Sequence, residues 1–199
     1  MTIQIDPPKP TQYSPLSPAR VYCFTGLPGV GKSTLSEAFI ERLIETDTHN
    51  REDIVWIRND EVRKELFNNP TYTAEESRKT YYQTIARVQR EILNNNIVVC
   101  DSTFSNNKYR IALANTTYMY ATPLTFIHVT CPEDIAKERI KTRENNVSDA
   151  DTDVYDIVNE SFDEFTDAAE YNVVTAHTDA PVDETVSNIM ETINTQNPF

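Results

Sequence analysis

Gly26-Leu27-Pro28-Gly29-Val30-Gly31-Lys32-Ser33 holds all three glycines of a 199-residue chain. At average usage, about 7% glycine, a chain of this length would carry about a dozen. The octet fits G-x-x-x-x-G-K-[ST], in which glycines let the backbone turn its N–H groups around phosphate oxygens. The Lys and Ser/Thr then hold the outer phosphates and a magnesium ion. Ala19 to Thr25 before it is a β-rich run. After it Leu35, Ala38, Phe39 and Leu43 repeat at helical spacing. The loop therefore joins a strand to a helix, whose N-terminus adds orphan N–H groups and a positive dipole end to an anion site. Such a site takes a nucleoside triphosphate.

The same alternation continues outward. Asp53 to Arg58 predicts a second strand, followed by a short helix through Phe67. A long helix over about Ala74 to Asn94 carries Tyr81, Ile85, Val88 and Ile92 on one face. Ile97 to Cys100 predicts a third strand, running into Asp101-Ser102-Thr103-Phe104 and a helix through Arg110, Leu113 and Met119. Leu124 to Thr130 predicts a fourth strand, and Cys131-Pro132-Glu133-Asp134 opens a helix through Arg139 and Arg143. Glu144 to Asp151 is polar and predicts a mobile connection. Val154, Val158, Phe162 and Phe165 then continue a helical spacing. Tyr171 to Ala176 supplies a fifth strand and Val182, Val186, Ile189 and Ile193 a closing helix. The expected architecture is a three-layer α/β/α fold on a five-stranded parallel sheet, with right-handed crossovers.

Length allows one well-buried domain, expected over residues 19–199, behind a Pro-rich tail at 1–18 whose composition predicts disorder. The formal charge of −13, from 31 acidic and 18 basic side chains, disfavours nonspecific attraction to nucleic-acid backbones or anionic membranes. Cys23, Cys100 and Cys131 lie in or at the ends of apolar runs and read as buried thiols, fitting a reducing compartment. No secretory leader or membrane span is evident, so a cytoplasmic protein, monomer or homodimer, is expected.

In open α/β sheets the ligand crevice lies outside the carboxyl ends of the strands. Asp60 and Arg63 follow the second strand, Asp101 and Thr103 the third, and Cys131-Pro132 the fourth. Together the glycine loop, Asn59-Asp60-Glu61-Val62-Arg63, Val98-Val99-Cys100-Asp101-Ser102-Thr103-Phe104, Cys131-Pro132-Glu133 with its downstream arginines, and Ser148-Asp149-Ala150-Asp151 resemble a group of P-loop kinases. The group includes zeta toxins, polynucleotide kinases and gluconate kinase-like enzymes, with an AAA-type ATP-binding domain. The resemblance covers about residues 20 to 195.

The resemblance implies ATP and Mg2+ as cofactors and a small hydroxylated molecule as the acceptor, a polynucleotide or nucleotide sugar being alternatives. It places Gly26, Leu27, Pro28, Gly29, Val30, Gly31, Lys32, Ser33 and Thr34 around the triphosphate, with Ser33 on magnesium and Thr34 supporting the loop. Asp60 is the candidate base for the acceptor hydroxyl and Arg63 stands beside the acceptor. Asp101 is either the carboxylate that holds the metal's water or a second acceptor contact. Arg139 and Arg143, four residues apart, would close as a lid over the transferring phosphate. Arg110 either contacts the acceptor or covers helix surface. His128 reads as a core residue, His49 as solvated and His177 as a site of backbone contact to adenine.

Rival readings fit less well. A GTPase would carry N-K-x-D, whereas Asn107-Lys108-Tyr109-Arg110 ends in the wrong residue. A motor ATPase would need accessory elements for which the chain has no room. Hydrolysis of ATP without an acceptor stays open. The cations and aromatics of Arg78-Lys79-Thr80-Tyr81-Tyr82, with Arg87 and Arg90, suit either a polynucleotide groove or an amphipathic helix that buries its tyrosines.

Overall fold

The structure is a computed structural model that describes residues 19–46, 50–142, 152–165 and 171–196. The Pro-rich tail, His49, Arg143 and the connection expected at 144–151 lie outside these residues. Five strands, β1 (Arg20–Thr25), β2 (Ile54–Arg58), β3 (Ile97–Asp101), β4 (Leu124–Thr130) and β5 (Asn172–His177), form one sheet in the order β2-β3-β1-β4-β5. Every pairing is parallel. The helices between them are α1 (Lys32–Thr46), α2 (Asn59–Leu66), α3 (Ala74–Leu93), α4 (Asn107–Met119), α5 (Glu133–Lys141), α6 (Thr152–Glu160) and α7 (Val182–Gln196).

Two apolar cores follow from the period of two along each strand. Tyr22 and Phe24 of β1 face Phe39, Ile40, Ala136, Ile189 and Ile193, so α1, α5 and α7 cover that side. Val21 and Cys23, one residue out of phase, face Val62, Tyr81, Val88 and Leu113, so α2, α3 and α4 cover the other. Because both faces are buried, strands such as Ile97-Val98-Val99-Cys100 read as continuous apolar runs. The order reverses beside β1: the chain crosses from β1 to β2 on one side and later to β4 on the other. The crevice between the ends of β1 and β3 is thus the place for a ligand.

The helix expected to run on from Val154 through Phe165 stops at Glu160. The Arg110 guanidinium takes the carbonyls of Asp163 and, at 3.3 Å, Glu164. The Asp163 N–H donates to Ser105 O at 2.9 Å, and the Asp163 carboxylate accepts from Asn107 N at 2.7 Å. These partners hold the segment out of the helix, so the two rings leave the helix face. Phe162 stacks on His128 and Phe165 lies under Arg110, its ring centre 4.1 Å from the guanidinium carbon. Arg110 therefore neither contacts an acceptor nor covers helix surface. It is fully buried and ties the segment after α6 to the start of α4. His128 is partly covered by the same rings, and burial lowers its pKa.

Candidate active site

The glycine loop is held from three directions. Gly26 and Gly29 have φ of 145° and 79°, and a Cβ would lie 2.2 Å from Val129 O and 2.4 Å from Ala136 O respectively. Only glycine permits that approach of the loop to β4 and α5. At the β3 side Thr25 Oγ1 donates to Thr103 O at 2.6 Å, and Gly26 N donates to the same oxygen at 3.4 Å. At the β5 side Thr178 Oγ1 donates to Val30 O at 2.6 Å. Loop, β3 end and β5–α7 turn are thereby fixed before any ligand arrives.

A cavity of ≈ 740 Å³ opens along the carboxyl ends of the strands, within the usual size of a small-molecule site. Pro28, Gly29, Gly31, Lys32, Ser33 and Thr34 line one end. Asp60, Arg63 and Asp101 line the same space, together with Arg139. Gly26, Leu27 and Val30 stand behind the lining and shape the loop; the carbonyl of Leu27 accepts from Lys32 Nζ at 2.8 Å. Arg143 falls outside the described residues.

Asp101 terminates β3 inside the sheet, where Arg58 and Phe24 flank it in register. Burial pushes its carboxyl pKa up, while Lys32 and a 2.5 Å hydrogen bond from Ser33 Oγ pull it down. A hydroxyl and a carboxylate brought together beside a phosphate loop are hard oxygen donors. They suit magnesium, which takes one or two protein groups and fills its other positions with phosphate oxygens and water. The donor set fits the ion that the family implies. No cluster of three or more His, Cys, Asp or Glu able to hold a metal occurs among the described residues.

Asp60 stands in the first turn of α2, whose start is anchored by Thr84 Oγ1 donating to Asn59 Oδ1 at 2.9 Å. One turn on, Arg63 is 5% exposed. Its Nη2 donates to Ser77 Oγ over a long 3.4 Å, and its Nε and Nη1 have no hydrogen-bond partner among the described residues. Tyr72 covers the guanidinium at 4.7 Å. Tyr72 has φ of 56°, a strained value for a bulky residue, and its N–H and that of Thr71 both donate to Glu76 Oε2 at 2.8 Å.

Arg139 lies along the loop and is tethered: Nη1 donates to Thr178 Oγ1 at 2.9 Å and Nη2 to Thr178 O at 2.7 Å. His177 beside it shares a 2.9 Å hydrogen bond with Thr130 Oγ1. The cations and aromatics of α3 divide. Tyr81 is buried and stacks on Tyr109 at 4.3 Å, Arg87 pairs with Glu65 and Arg90 with Glu91. That helix is amphipathic and spends two of its arginines on its own neighbours. Sequence reasoning missed Arg58, Tyr72, Ser77, Lys108 and the Val154, Ile157, Val158 face of α6, all of which line the cavity. None carries a local signal; the fold alone gathers them.

A family model described as an AAA domain matches residues 21–165. Among solved structures, a sugar kinase from Janibacter sp. HTCC2649 superposes with a TM-score of 0.67 at 12% identity, covering 88% of this chain and 95% of that one. Kti12 of Chaetomium thermophilum in complex with ADP-AlF3 gives 0.65 at 18%, covering 87% and 98%. The Mycobacterium tuberculosis APS kinase CysC in complex with AMPPNP and APS gives 0.62 at 13%, covering 88% and 98%. At these identities the likeness shows the fold. No curated protein sequence matches significantly. Among the described residues no helix is long and apolar enough to cross a membrane.

Proposed function

The chain belongs to the AAA domain family and is built as a P-loop kinase, and on that premise we propose that it transfers the γ-phosphate of ATP, as its magnesium complex, to a hydroxyl of a small molecule. The observation that carries this reading is one cavity lined both by the phosphate loop and by Asp60 and Arg63. A hydrolase needs only the loop. The further residues make a place for an acceptor.

In this reading the loop N–H groups and Lys32 bind the β- and γ-phosphates, and Thr34 supports the loop. Ser33 and Asp101 would hold the magnesium, which would supply charge neutralisation for the transfer. Asp60 orients the acceptor hydroxyl and takes its proton as the acceptor oxygen bonds to the γ-phosphorus and the bond to the ADP oxygen breaks. Arg63 positions the acceptor. Arg139, held by Thr178, flanks the nucleotide, and Arg143 adds a second cation from the lid. The β5–α7 turn at His177 and Thr178 offers backbone atoms to the base.

The test is transfer from radiolabelled ATP to a panel of sugars, nucleosides, nucleotide sugars and 5′-hydroxyl oligonucleotides. Asp60→Asn is expected to keep ATP binding and to lose about 10²- to 10⁴-fold in transfer. Full activity in that variant overturns the assignment of the base. Phosphate release with label on no acceptor replaces the kinase reading with a hydrolase.

A further inference from the structure

From Ile111 to Pro132 the chain has no Asp, Glu, Lys or Arg, although such residues make up 25% of the whole. Part of that stretch is a surface helix. α4 buries Tyr109, Leu113 and Thr117 on its inner side, the first two in the core beneath it. A surface helix ordinarily sets charged and polar residues on its opposite side. α4 instead carries Ile111, Tyr118 and Met119 there, at i, i+7 and i+8, with the exposed Asn115 between them. Tyr118 is 86% and Met119 76% exposed, the two most exposed large apolar side chains among the described residues. A helix that is apolar on both sides belongs in a buried setting.

α3 extends this face. Its Tyr82 and Leu93, at i and i+11 and so on one side of the helix, are exposed too. Gln89 Nε2 donates to Tyr120 Oη at 2.6 Å, which sets the ends of α3 and α4 side by side. Five of the nine exposed large apolar side chains among the described residues thus lie on these two helices, so the exposure is a patch and not a scatter. Charges that border it are already paired: Lys79 with Glu75, Arg87 with Glu65 and Arg90 with Glu91. α3 and α4 end where β3 and β4 begin, so Leu93, Tyr118 and Met119 stand at the end of the sheet away from the cavity. The cavity is lined instead by Lys108 and Tyr109, at the start of α4.

We propose that this face of α3 and α4 joins a second copy of the chain, α4 against α4, about a two-fold axis. Charge selects the partner. Each copy carries −13, so two copies repel wherever their acidic surfaces meet, and the uncharged outer side of α4 is where they approach at least cost. The same charge repels an anionic membrane, and it would draw a basic protein to the acidic surface and away from α4. A two-fold contact is self-complementary, and tyrosine and methionine with few charges are the composition of the core of such an interface. Area bounds the strength. The 20 residues of α3 are about 30 Å long and two helices side by side about 20 Å wide, which makes a face of about 600 Å². A standard stable interface buries about 800 Å² a side, so the dimer is a reversible one in the micromolar range, with both cavities left open.

Sedimentation velocity on the full chain, from about 1 to about 500 μM, brackets a micromolar constant and is the test. The mass is expected to rise with concentration from that of one chain toward that of two. Tyr118→Glu and Met119→Glu, both at exposed positions, are each expected to weaken the dimer by about ten-fold or more, because the two-fold axis sets the new charges against each other. Val182→Glu, at an exposed apolar position on α7, is expected to leave the dimer unchanged. Raising the salt from about 20 to about 300 mM should tighten the dimer, since screening weakens the repulsion between the chains while the apolar contact persists. Where a Glu variant fails to fold, Asn115→Asp, which changes the charge and scarcely the shape, takes its place.

A chain that stays a monomer at every concentration and salt overturns the inference. So does a dimer that the α4 variants leave intact, a dimer that salt loosens, as one built on ion pairs would be, or a dimer that Val182→Glu breaks. Growth into open-ended assemblies overturns it as well, because a two-fold contact closes on itself. Mass decides each outcome, so the dimer face and the kinase reading stand or fall separately.

Discussion

A methyl group at Gly29 would sit 2.4 Å from Ala136 O and 2.9 Å from Ile140 Cγ1, at a φ of 79° that L side chains rarely adopt. Gly29→Ala is therefore expected to destabilise the protein by about 1 to 3 kcal/mol and to weaken ATP binding, because the loop must move off α5 to fit. Paired denaturant melts and nucleotide titrations check this, and a variant with unchanged ATP affinity would contradict it. Tyr81 gives a prediction with a pH sign. Burial pushes its phenol from 10.0 up to about 12, with Asp60 adding to the shift and Arg63 opposing it. A folded-state value above the unfolded one means that stability is fully present below pH 10 and falls as pH rises toward 12, by about 2 to 3 kcal/mol in all. Comparing urea midpoints of the wild type and Tyr81→Phe across pH 9 to 12 isolates the effect. The wild type should lose stability faster, and parallel curves would show that Tyr81 does not titrate differently on folding.

At the scale of elements, the join between α6 and α4 is the informative one. Arg110 reaches 53 residues along the chain to the carbonyl of Asp163, and also to those of Glu164 and Phe104. Its aliphatic and planar surfaces pack on Phe162 and Phe165. Arg110→Met keeps much of the volume but leaves those carbonyls without their charged donor, so a loss of about 2 to 4 kcal/mol is expected in chemical denaturation. Limited proteolysis should at the same time show faster cleavage around Phe162 to Phe165, since that segment loses its anchor. Unchanged stability would mean the contact is idle. The middle of α6 is held differently: Lys137 of α5 reaches Asp156 at 2.6 Å, besides Glu133 of its own helix at 2.8 Å, and these carboxylates push its pKa up. The segment after the helix is thus clamped by a buried guanidinium and the middle of the helix by a more exposed ion pair, the weaker and more salt-sensitive device.

For the whole molecule, a triphosphate and magnesium bound across the ends of β1, β3 and β4 should stabilise every layer at once. At a hundred-fold excess over Kd the gain is about 2.7 kcal/mol, which for a chain of this size is a rise in Tm of about 5 to 10 °C. Thermal melts with ATP and magnesium should show it, a chelator should remove most of it, and Lys32→Ala should abolish it; a shift that survives the chelator would place no metal in the complex. Much of this architecture was legible beforehand. Five strands, their order along the chain and the helices between them follow from periodicities of 2 and 3.6 residues and from punctuation such as Asn94-Asn95-Asn96, all short-range effects. The phosphate loop was legible for the same reason, since its requirement for glycine is written into the backbone of six consecutive residues. The run from Val154 to Phe165 misled because its helical spacing was met by rings that serve another purpose, once Arg110 had taken the carbonyls between them. What the chain determined by itself was the place of the triphosphate and the class of fold. Only the tertiary structure decided that Arg110 is a clamp, that Arg63 keeps two nitrogens unpaired among the described residues and that Arg139 is tied to Thr178, because pairing and burial depend on residues 14 to 53 apart in the chain meeting in space.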